Sequence, residues 1–403
     1  QWNCLLVSVN GNRSKAISVI VISDQTRYCP LAVTKNNKGI YTWPRTVVGW
    51  RAELPCEGNR LSGLMQVPLK ATYYCNVTGY WEDLNTESCP YISHTTKILE
   101  QFSKVNLSLT KSSLLETAKR FKNYTGNGVK LTDPVEVNFI TQTIENYLNF
   151  LVEEKELGAM LVDVISAVMN LQKEMLKRAE ILFKSCTRLI KAVEKITEFS
   201  PSIQSHKKNI ALEEFRVKRD SFTGLICTWY SSITSNSDSE TRYLQCTTNN
   251  KTVPIGTKDK TIEASIQLPA SLLQHLQEVV VAHQLMISMY NDNRLFPKLV
   301  NNDNMDISTC IVGIGIAVQN LSEPVYVMLK APLRHYAGRK LQPVVWDETI
   351  NESGGWSSDG CHLTNLLNNL IVFHCNRLGY YGLLQDTSYL DQNGNRYCPP
   401  GNI

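Results

Sequence analysis

Gly354-Gly355-Trp356-Ser357-Ser358-Asp359-Gly360-Cys361, with Trp346 ahead of it and Cys375-Asn376-Arg377-Leu378-Gly379-Tyr380-Tyr381-Gly382-Leu383-Leu384 behind it, is the stretch whose reading decides the fold. The pairs Cys361-His362 and His374-Cys375 invite a zinc reading. Adjacent residues on a strand point to opposite faces, so the four side chains do not converge on one ion. A disulfide between the two cysteines is the preferred reading, and no metal or cofactor is expected anywhere in the chain.

Upstream of this stretch, from Phe215 onward, short alternating runs are separated by Asn, Ser, Gly and Pro. Strands are predicted at Leu225–Tyr230, Tyr243–Thr247, Ile262–Leu268, Val279–Tyr290, Ile307–Val318 and Val325–Leu329. Cys310, Val312, Ile314, Ile316 and Val318 would share one face of the fifth. So many strands imply a sandwich. Cys227 and Cys246, on neighbouring strands joined by a polar loop, are candidates for a cross-strand bridge. Cys186 and Cys310 either pair with each other or stay as separate core thiols, and Cys398 is odd.

Between residues 94 and 200 the apolar period is helical. Ile98, Leu99, Phe102 and Val105 form one stripe, and Ser113 with Glu116 makes a capping box ahead of Leu114. Asp133-Pro134-x-Glu136 starts a helix, because proline needs no amide partner at the first position and Asp133 can accept from the free amides. A last stripe, Leu182, Cys186, Leu189/Ile190, Val193 and Ile196, is stopped by Ser200-Pro201. The basic residues of that last helix, Lys173 to Lys195, read as a solvated face, with a sulfated-glycan or anionic-lipid surface as the alternative.

Cys29 to Cys89 carries four cysteines and several prolines within about sixty residues, a size at which a core needs staples. Trp2-x-Cys4, Asn10-Gly11-Asn12 and the alternating Ala16–Ile22 resemble strands F and G of an immunoglobulin domain, an ordinary hairpin with a free thiol being the alternative.

Composition places the chain. Twelve cysteines and seven Asn-x-Ser/Thr sequons, at Asn12, Asn76, Asn106, Asn123, Asn250, Asn320 and Asn351, indicate an oxidising secretory compartment and a glycoprotein. Forty-one basic and 37 acidic residues give a formal charge of +4, too balanced for a nucleic-acid binder. No apolar run approaches the roughly 18–20 residues of a membrane span, and no signal peptide opens the chain. The expectation is a fragment, or an isoform ending before the membrane, secreted or soluble as such.

The closing stretch resembles the GPS motif that ends the GAIN domain of adhesion G protein-coupled receptors, where CxxW, GGWSxxGC and CxCNHLTxFxxLM follow one another at this spacing. Leu268-Pro269 with Leu272-Leu273, Leu295-Phe296-Pro297 and Pro324-Val325-x-Val327-x-Leu329 extend the resemblance through the domain. Trp43-Pro44, Gly49, Leu54-Pro55-Cys56, Tyr74-Cys75, Gly79-Tyr80-Trp81 and Cys89 resemble a hormone-receptor (HormR) domain. By these resemblances Cys29 pairs with Cys75, Cys56 with Cys89 and Cys361 with Cys375. The fold implied is α+β and multidomain: residues 1–24 as an immunoglobulin remnant, 25–93 as HormR, 94–214 as helical GAIN subdomain A, 215–386 as β-sandwich subdomain B with GPS motif 340–386, and 387–403 as a tail. An immunoglobulin piece before HormR and GAIN is the order found in subfamily A. Partners implied are cell-surface or matrix proteins, in Wnt or planar-polarity signalling, and the receptor's own seven-helix domain, the only route to the membrane; the full receptor would carry this region on the outer face of the plasma membrane. Thr34 to Tyr41 contain no Asp or Glu where hormone receptors keep a carboxylate, which favours a spacer role over hormone binding.

In the family, a His two residues before the scissile position deprotonates a Ser or Thr, which attacks the preceding carbonyl to give an ester that water hydrolyses. Here the three positions are Arg377, Leu378 and Gly379. Arginine stays protonated and glycine has no oxygen, so there is no catalytic residue and cleavage is not expected. Two further family cysteines are replaced by Pro343 and Phe373, both members of one bridge, which leaves no orphan thiol. The strand that serves the family as tethered agonist is Tyr380, Tyr381, Leu383 and Leu384, with Tyr381 and Leu384 in its aromatic and leucine slots and Gln385 departing from methionine. A core strand and nothing more is the alternative. Arg216-x-Lys218-Arg219 has the form of a proprotein-convertase site, and a basic pair on an edge strand would look the same. The function implied is a non-catalytic receptor stalk, uncut, that shields this strand; the rivals are an autoproteolytic GAIN domain and a soluble hormone-binding decoy.

Overall fold

The structure is a computed structural model and describes residues 2–6, 13–17, 25–57, 69–109, 113–126, 128–199, 205–218, 221–233, 240–248, 260–274, 283–299, 305–307, 309–315, 320–330, 341–350, 354–367 and 369–386. The chain divides into two compact units, Gln1–Lys97 and Ile98–Ile403.

In the first unit, β1 (Trp2–Leu6) and β2 (Arg13–Ile17) form an antiparallel hairpin, Trp2 opposite Ile17. The rest is a set of small sheets. β3 (Tyr28–Cys29) pairs with β6 (Thr46–Val47), β4 (Ala32–Asn36) with β5 (Gly39–Trp43), and β7 (Arg51–Pro55), β8 (Lys70–Cys75) and β9 (Trp81–Asn85) form a meander. The core is thin: Tyr41, Trp43, Ala52, Ala71 and two half-cystines, with Trp81 stacked on Tyr73 at 4.8 Å. Disulfides Cys29–Cys75 and Cys56–Cys89 cross-link it, as a core this small requires.

The division between the units falls within α1 (His94–Lys104), and the second unit continues with helices α2 (Leu114–Gly126), α3 (Pro134–Leu148), α4 (Lys155–Val168), α5 (Lys173–Phe183) and α6 (Ser185–Phe199). The start of α3 follows from its sequence. Asp133 Oδ1 accepts from the Val135 amide at 2.9 Å, and Glu136 reaches back to the Asp133 amide at 3.1 Å, closing a capping box around Pro134. The continuous helix expected around Lys173–Lys195 is instead two helices. Lys184 adopts φ 56°, ψ 30°, which ends α5, and the buried Glu180 carboxylate accepts from the Thr187 amide (3.0 Å) and hydroxyl (2.7 Å), capping the start of α6. Leu182, assigned to the core stripe by periodicity, is consequently 59% exposed. The basic residues do not form one face: Arg188 is half-buried against Glu145 and Asn138, while Lys173 pairs with Asp306 at 2.6 Å.

A two-sheet sandwich follows. One sheet runs β10 (Ser205–His206), β11 (Ile210–Val217), β15 (His283–Tyr290), β17 (Ile311–Ile314), β23 (Tyr380–Asp386), β19 (Leu341–Asp347), β20 (Gly355–Ser357), with β16 (Met305–Ile307) also on β23. The other runs β13 (Glu240–Thr247), β12 (Leu225–Ile233), β14 (Lys260–Leu268), β18 (Val325–Lys330), β22 (Leu370–Cys375), β21 (Cys361–Leu367). Between them lie Trp229, Ile266, Ile287, Val312, Val327, Phe373, Tyr381 and Leu383, all at most 1% exposed. One expectation fails here. The strand predicted over Ile307–Val318 is divided into β16 and β17, which meet opposite ends of β23. Its alternation holds where described: Val312 and Ile314 face the sandwich core and Cys310 packs against it. Ile311 and Gly313, on the other face, are buried as well, because Gly313 lies under Gly379 and Tyr380 while Ile311 and Trp356 both approach Gly382. Residues 316–319 lie outside the described residues.

Candidate functional site: the last strand and its clasp

β23 is the final described strand and one of the most enclosed. Antiparallel neighbours flank it on both sides: β17 through Val312–Tyr381 and Gly313–Tyr380, β16 through Ile307–Leu384, and β19 through five pairs from Val345–Tyr381 to Leu341–Gln385. Six of its seven residues are buried. Alternation sends Tyr381 and Leu383 into the sandwich core and Tyr380 to the opposite face. The Tyr381 hydroxyl donates to the Arg377 carbonyl at 2.7 Å, which folds the strand back onto its own approach segment. Gln385, in the slot where methionine was expected, is buried, and its Nε2 has no hydrogen-bond partner among the described residues.

Tyr380 packs against Phe296 at 5.1 Å and Tyr290 at 6.0 Å, and its hydroxyl donates to Glu194 Oε1 on α6 at 2.8 Å. This hydrogen bond links the helical layer to the last strand. Burial pushes the Glu194 carboxyl up to about 7; the Tyr380 hydroxyl pulls it down, Glu348 pushes it up and Lys191 opposes that. A cavity of about 420 Å³ opens beside the pair, lined by Lys191, Glu194, Lys195, Gln284, Ser288 and Tyr380.

The glycines and tryptophans ahead of the strand build the wall that holds it. Trp346 and Trp356 sit opposite each other on β19 and β20, edge to face at 5.2 Å, and Phe296 packs on both. Trp356 Nε1 donates to the Phe296 carbonyl at 3.1 Å. Gly354 has φ 77°, and a Cβ there would lie 2.5 Å from the Trp346 ring; Gly360 has φ 73°, and a Cβ would collide with the Asn376 side chain. The glycines of the motif are therefore fixed by the aromatic and amide groups laid over them.

Arg377, Leu378 and Gly379 come together at the entrance to β23. Arg377 Nη1 donates to Asp347 Oδ2 at 2.9 Å, and the side chains are 13% and 17% exposed. Hydrogen bonds from Thr349 and Arg377 hold the Asp347 carboxyl below its ordinary range against the opposing effect of burial. Leu378 is buried, and the Gly379 carbonyl accepts from the Ile314 amide at 3.2 Å. A Cβ on Gly379 would lie 2.7 Å from Val345 Cγ2 and 3.3 Å from the Trp346 carbonyl. The position is closed to a hydroxyl-bearing side chain by packing as well as by sequence. Pro343 and Phe373 are both buried.

Among the cysteines, Cys361–Cys375 joins β21 to β22 and Cys227–Cys246 joins β12 to β13. Cys186 and Cys310 are free thiols: Cys186 donates to the Leu176 carbonyl and Cys310 to the Glu263 carbonyl. Cys361 and Cys375 face the core, whereas His362 and His374 are more exposed on the other face, so the four do not share a site. Asn106, Asn123 and Asn320 are exposed and Asn76 is half-exposed. Asn12, Asn250, Asn351, Cys398, Arg219 and the side chain of Cys4 lie outside the described residues.

The family model described as "ADGRA3-like, GAIN domain" matches residues 93–199, and a second, GPS, described as "GAIN subdomain B", matches residues 229–389. They fall on the helical layer and on the sandwich with its clasp. This chain belongs to the adhesion G protein-coupled receptors. It is 28% identical over 432 residues to adhesion G protein-coupled receptor A3 of Homo sapiens, covering 96% of this chain and 32% of that protein. It is 29% identical to the Mus musculus A3 protein and 28% identical to the Mus musculus A2 protein, with the same coverage, which supports placement in the A3/A2 branch. The full extracellular region of zebrafish Gpr126/Adgrg6 shares the fold, at TM-score 0.52 and 20% identity over 92% of this chain and 45% of that one. The chain spans about a third of the length of these curated relatives. No helix among the described residues is long and apolar enough to cross a membrane.

Sequence reasoning missed Glu194 and Asp347. Glu194 carries no local signal, being one acidic residue on an amphipathic helix, and its role depends on Tyr380, 186 positions away. Asp347 could have been found as the acidic residue directly after the motif tryptophan, the natural counter-charge for an arginine in the histidine position.

Proposed function

We propose that this chain is the non-catalytic stalk of an adhesion receptor of the A3/A2 branch, whose GPS stays uncut and whose strand Tyr380–Asp386 is kept as a covalent part of the sandwich. The observation that carries the reading is Arg377-Leu378-Gly379, whose arginine is paired to Asp347 and whose glycine is packed under Val345, at the mouth of a strand hydrogen-bonded on both sides. A guanidinium cannot take up a proton, and no nucleophilic oxygen stands at residue 379. A strand so enclosed is released only by opening its surroundings, so its exposure is set by the local stability of the sheet.

In this reading residues 25–93 serve as a HormR-type spacer, supported by the two disulfides and the Trp43–Tyr73–Trp81 cluster. β1–β2 is the end of an immunoglobulin domain, the sequons carry glycans, and the region stands on the outer face of the plasma membrane, where it meets cell-surface or matrix proteins in Wnt or planar-polarity signalling. Its strand faces the receptor's own seven-helix domain only when the sheet opens. An epitope fused after Ile403 tests the uncut state: on a reducing, denaturing gel after deglycosylation it stays on the full-length band, whereas a tag-free main band would overturn the proposal.

A further inference from the structure

The outer face of the second sheet carries a row that the receptor reading leaves unused. Tyr326, His374 and His362 lie directly across β18, β22 and β21 from one another. The imidazole centres are 5.5 Å apart, and the Tyr326 ring lies 5.8 Å from His374. We propose that His362 and His374 form a two-histidine binding site for a borderline divalent transition-metal ion of the zinc, nickel and copper class.

Three features of the structure support it. The spacing matches: with metal–nitrogen bonds of about 2.0–2.1 Å and about 1.1 Å from nitrogen to ring centre, two imidazoles sharing a tetrahedral ion have centres about 5.2 Å apart. The site is also held in register, because Cys361–Cys375 immediately flanks the histidine pair and ties β21 to β22 on the opposite face. Finally, one ligand has an orienting partner. The pairing of β21 with β22 skips from Leu363 to Asn365, and Thr364, at the irregularity, brings its Oγ1 to 3.0 Å from His374 Nδ1. With Nδ1–H donating to that oxygen, Nε2 keeps the lone pair for the metal, the arrangement by which outer-shell groups fix a ligating tautomer.

Imidazole nitrogens suit this class of ion, whereas calcium and magnesium prefer oxygen. No group of three or more His, Cys, Asp or Glu that could hold a metal occurs among the described residues, so the remaining positions are open to water or to a donor from outside the chain. A bound ion would tie the edge strand β21 to β22 and stabilise the sheet as any ligand specific to the folded state does.

The test is titration of the whole chain with zinc chloride and, separately, nickel chloride, read by calorimetry and by the imidazole resonances of the histidines, with melting followed with and without metal. One ion per chain is expected, shifting the resonances of His362 and His374. His362→Ala and His374→Ala should each weaken binding at least about tenfold and abolish the metal-dependent rise in melting temperature without changing the metal-free melt. Thr364→Val should weaken binding about tenfold, the scale of an outer-shell partner, and Thr364→Ser should restore it. Binding that survives His362→Ala/His374→Ala unchanged, or resonance shifts confined to the other five histidines, would overturn the site. Unaltered affinity in Thr364→Val would overturn the positioning role of Thr364.

Discussion

Replacing Glu194 by Gln should change how stability depends on pH, by an amount set by the burial that lifts this carboxyl from 4.5 to about 7. A carboxyl whose pKa is raised by folding binds its proton more tightly in the folded chain. Its contribution is therefore fully present below pH 4.5 and is lost as pH rises through about 7. At about 1.36 kcal/mol per pKa unit, the parent should lose about 3 kcal/mol between pH 4.5 and pH 8 from this group. The groups facing it are Tyr380 from β23, Tyr290 from β15, Glu348 after β19 and Lys191 on α6. Glutamine keeps the shape and an oxygen that accepts from Tyr380, but cannot ionise. The assay is urea unfolding with disulfides intact, followed by tryptophan fluorescence from pH 5 to 8.5, on parent and Glu194→Gln. The difference between the two curves isolates this residue from every other titrating group. It should open by about 2–3 kcal/mol in favour of the variant as pH rises. Parallel curves would refute the argument that Glu194 is held protonated against the last strand.

Adding a methyl at the former nucleophile position should harm the fold: Gly379→Ala should destabilise by about 1–3 kcal/mol in denaturant unfolding, and Val345→Ala in the same chain should recover part of it. Restoring both family residues, Arg377→His with Gly379→Thr, should leave the chain uncut after prolonged incubation, read by mass, because Val345 displaces the side chain that would attack. Arg377→Ala should cost about 2 kcal/mol by leaving Asp347 without its charged donor. Removing the bridge between β21 and β22 with Cys361→Ala/Cys375→Ala should cost about 3 kcal/mol, the value for a loop of this length, seen as a lower urea midpoint.

Much of the fold was legible because its signals are local. The Asp133-Pro134-x-Glu136 helix start needs only four residues to specify, and the structure forms the capping box. The strands around Cys227, Cys246, Ile266 and Val327 were predicted from period-two alternation, which burial follows cleanly at β18 and β22, whereas β12 is buried on both faces, with Ile226, Thr228 and Tyr230 covered as well as Cys227 and Trp229. The division of Ile307–Val318 and the burial of Ile311 and Gly313 on the outer face were not legible, since they depend on β23 and its approach segment, about seventy residues later. The break at Lys184 was hidden for a related reason: the apolar stripe continues through it, and the cap comes from Glu180, which periodicity assigns to a polar face. At the clasp the sequence revealed the loss of base and nucleophile, both matters of residue type. That the vacated positions had been filled, by an ion pair at Arg377 and by Val345 against Gly379, is a property of packing.

The central claim is continuity of the chain through Leu378–Gly379 into a strand that stays in the sheet. Intact mass under denaturing and reducing conditions after enzymatic deglycosylation tests it most directly. The account predicts a single species at the mass of the unbroken 403-residue chain. A pair of species, one ending at Leu378 and one beginning at Gly379, would contradict it.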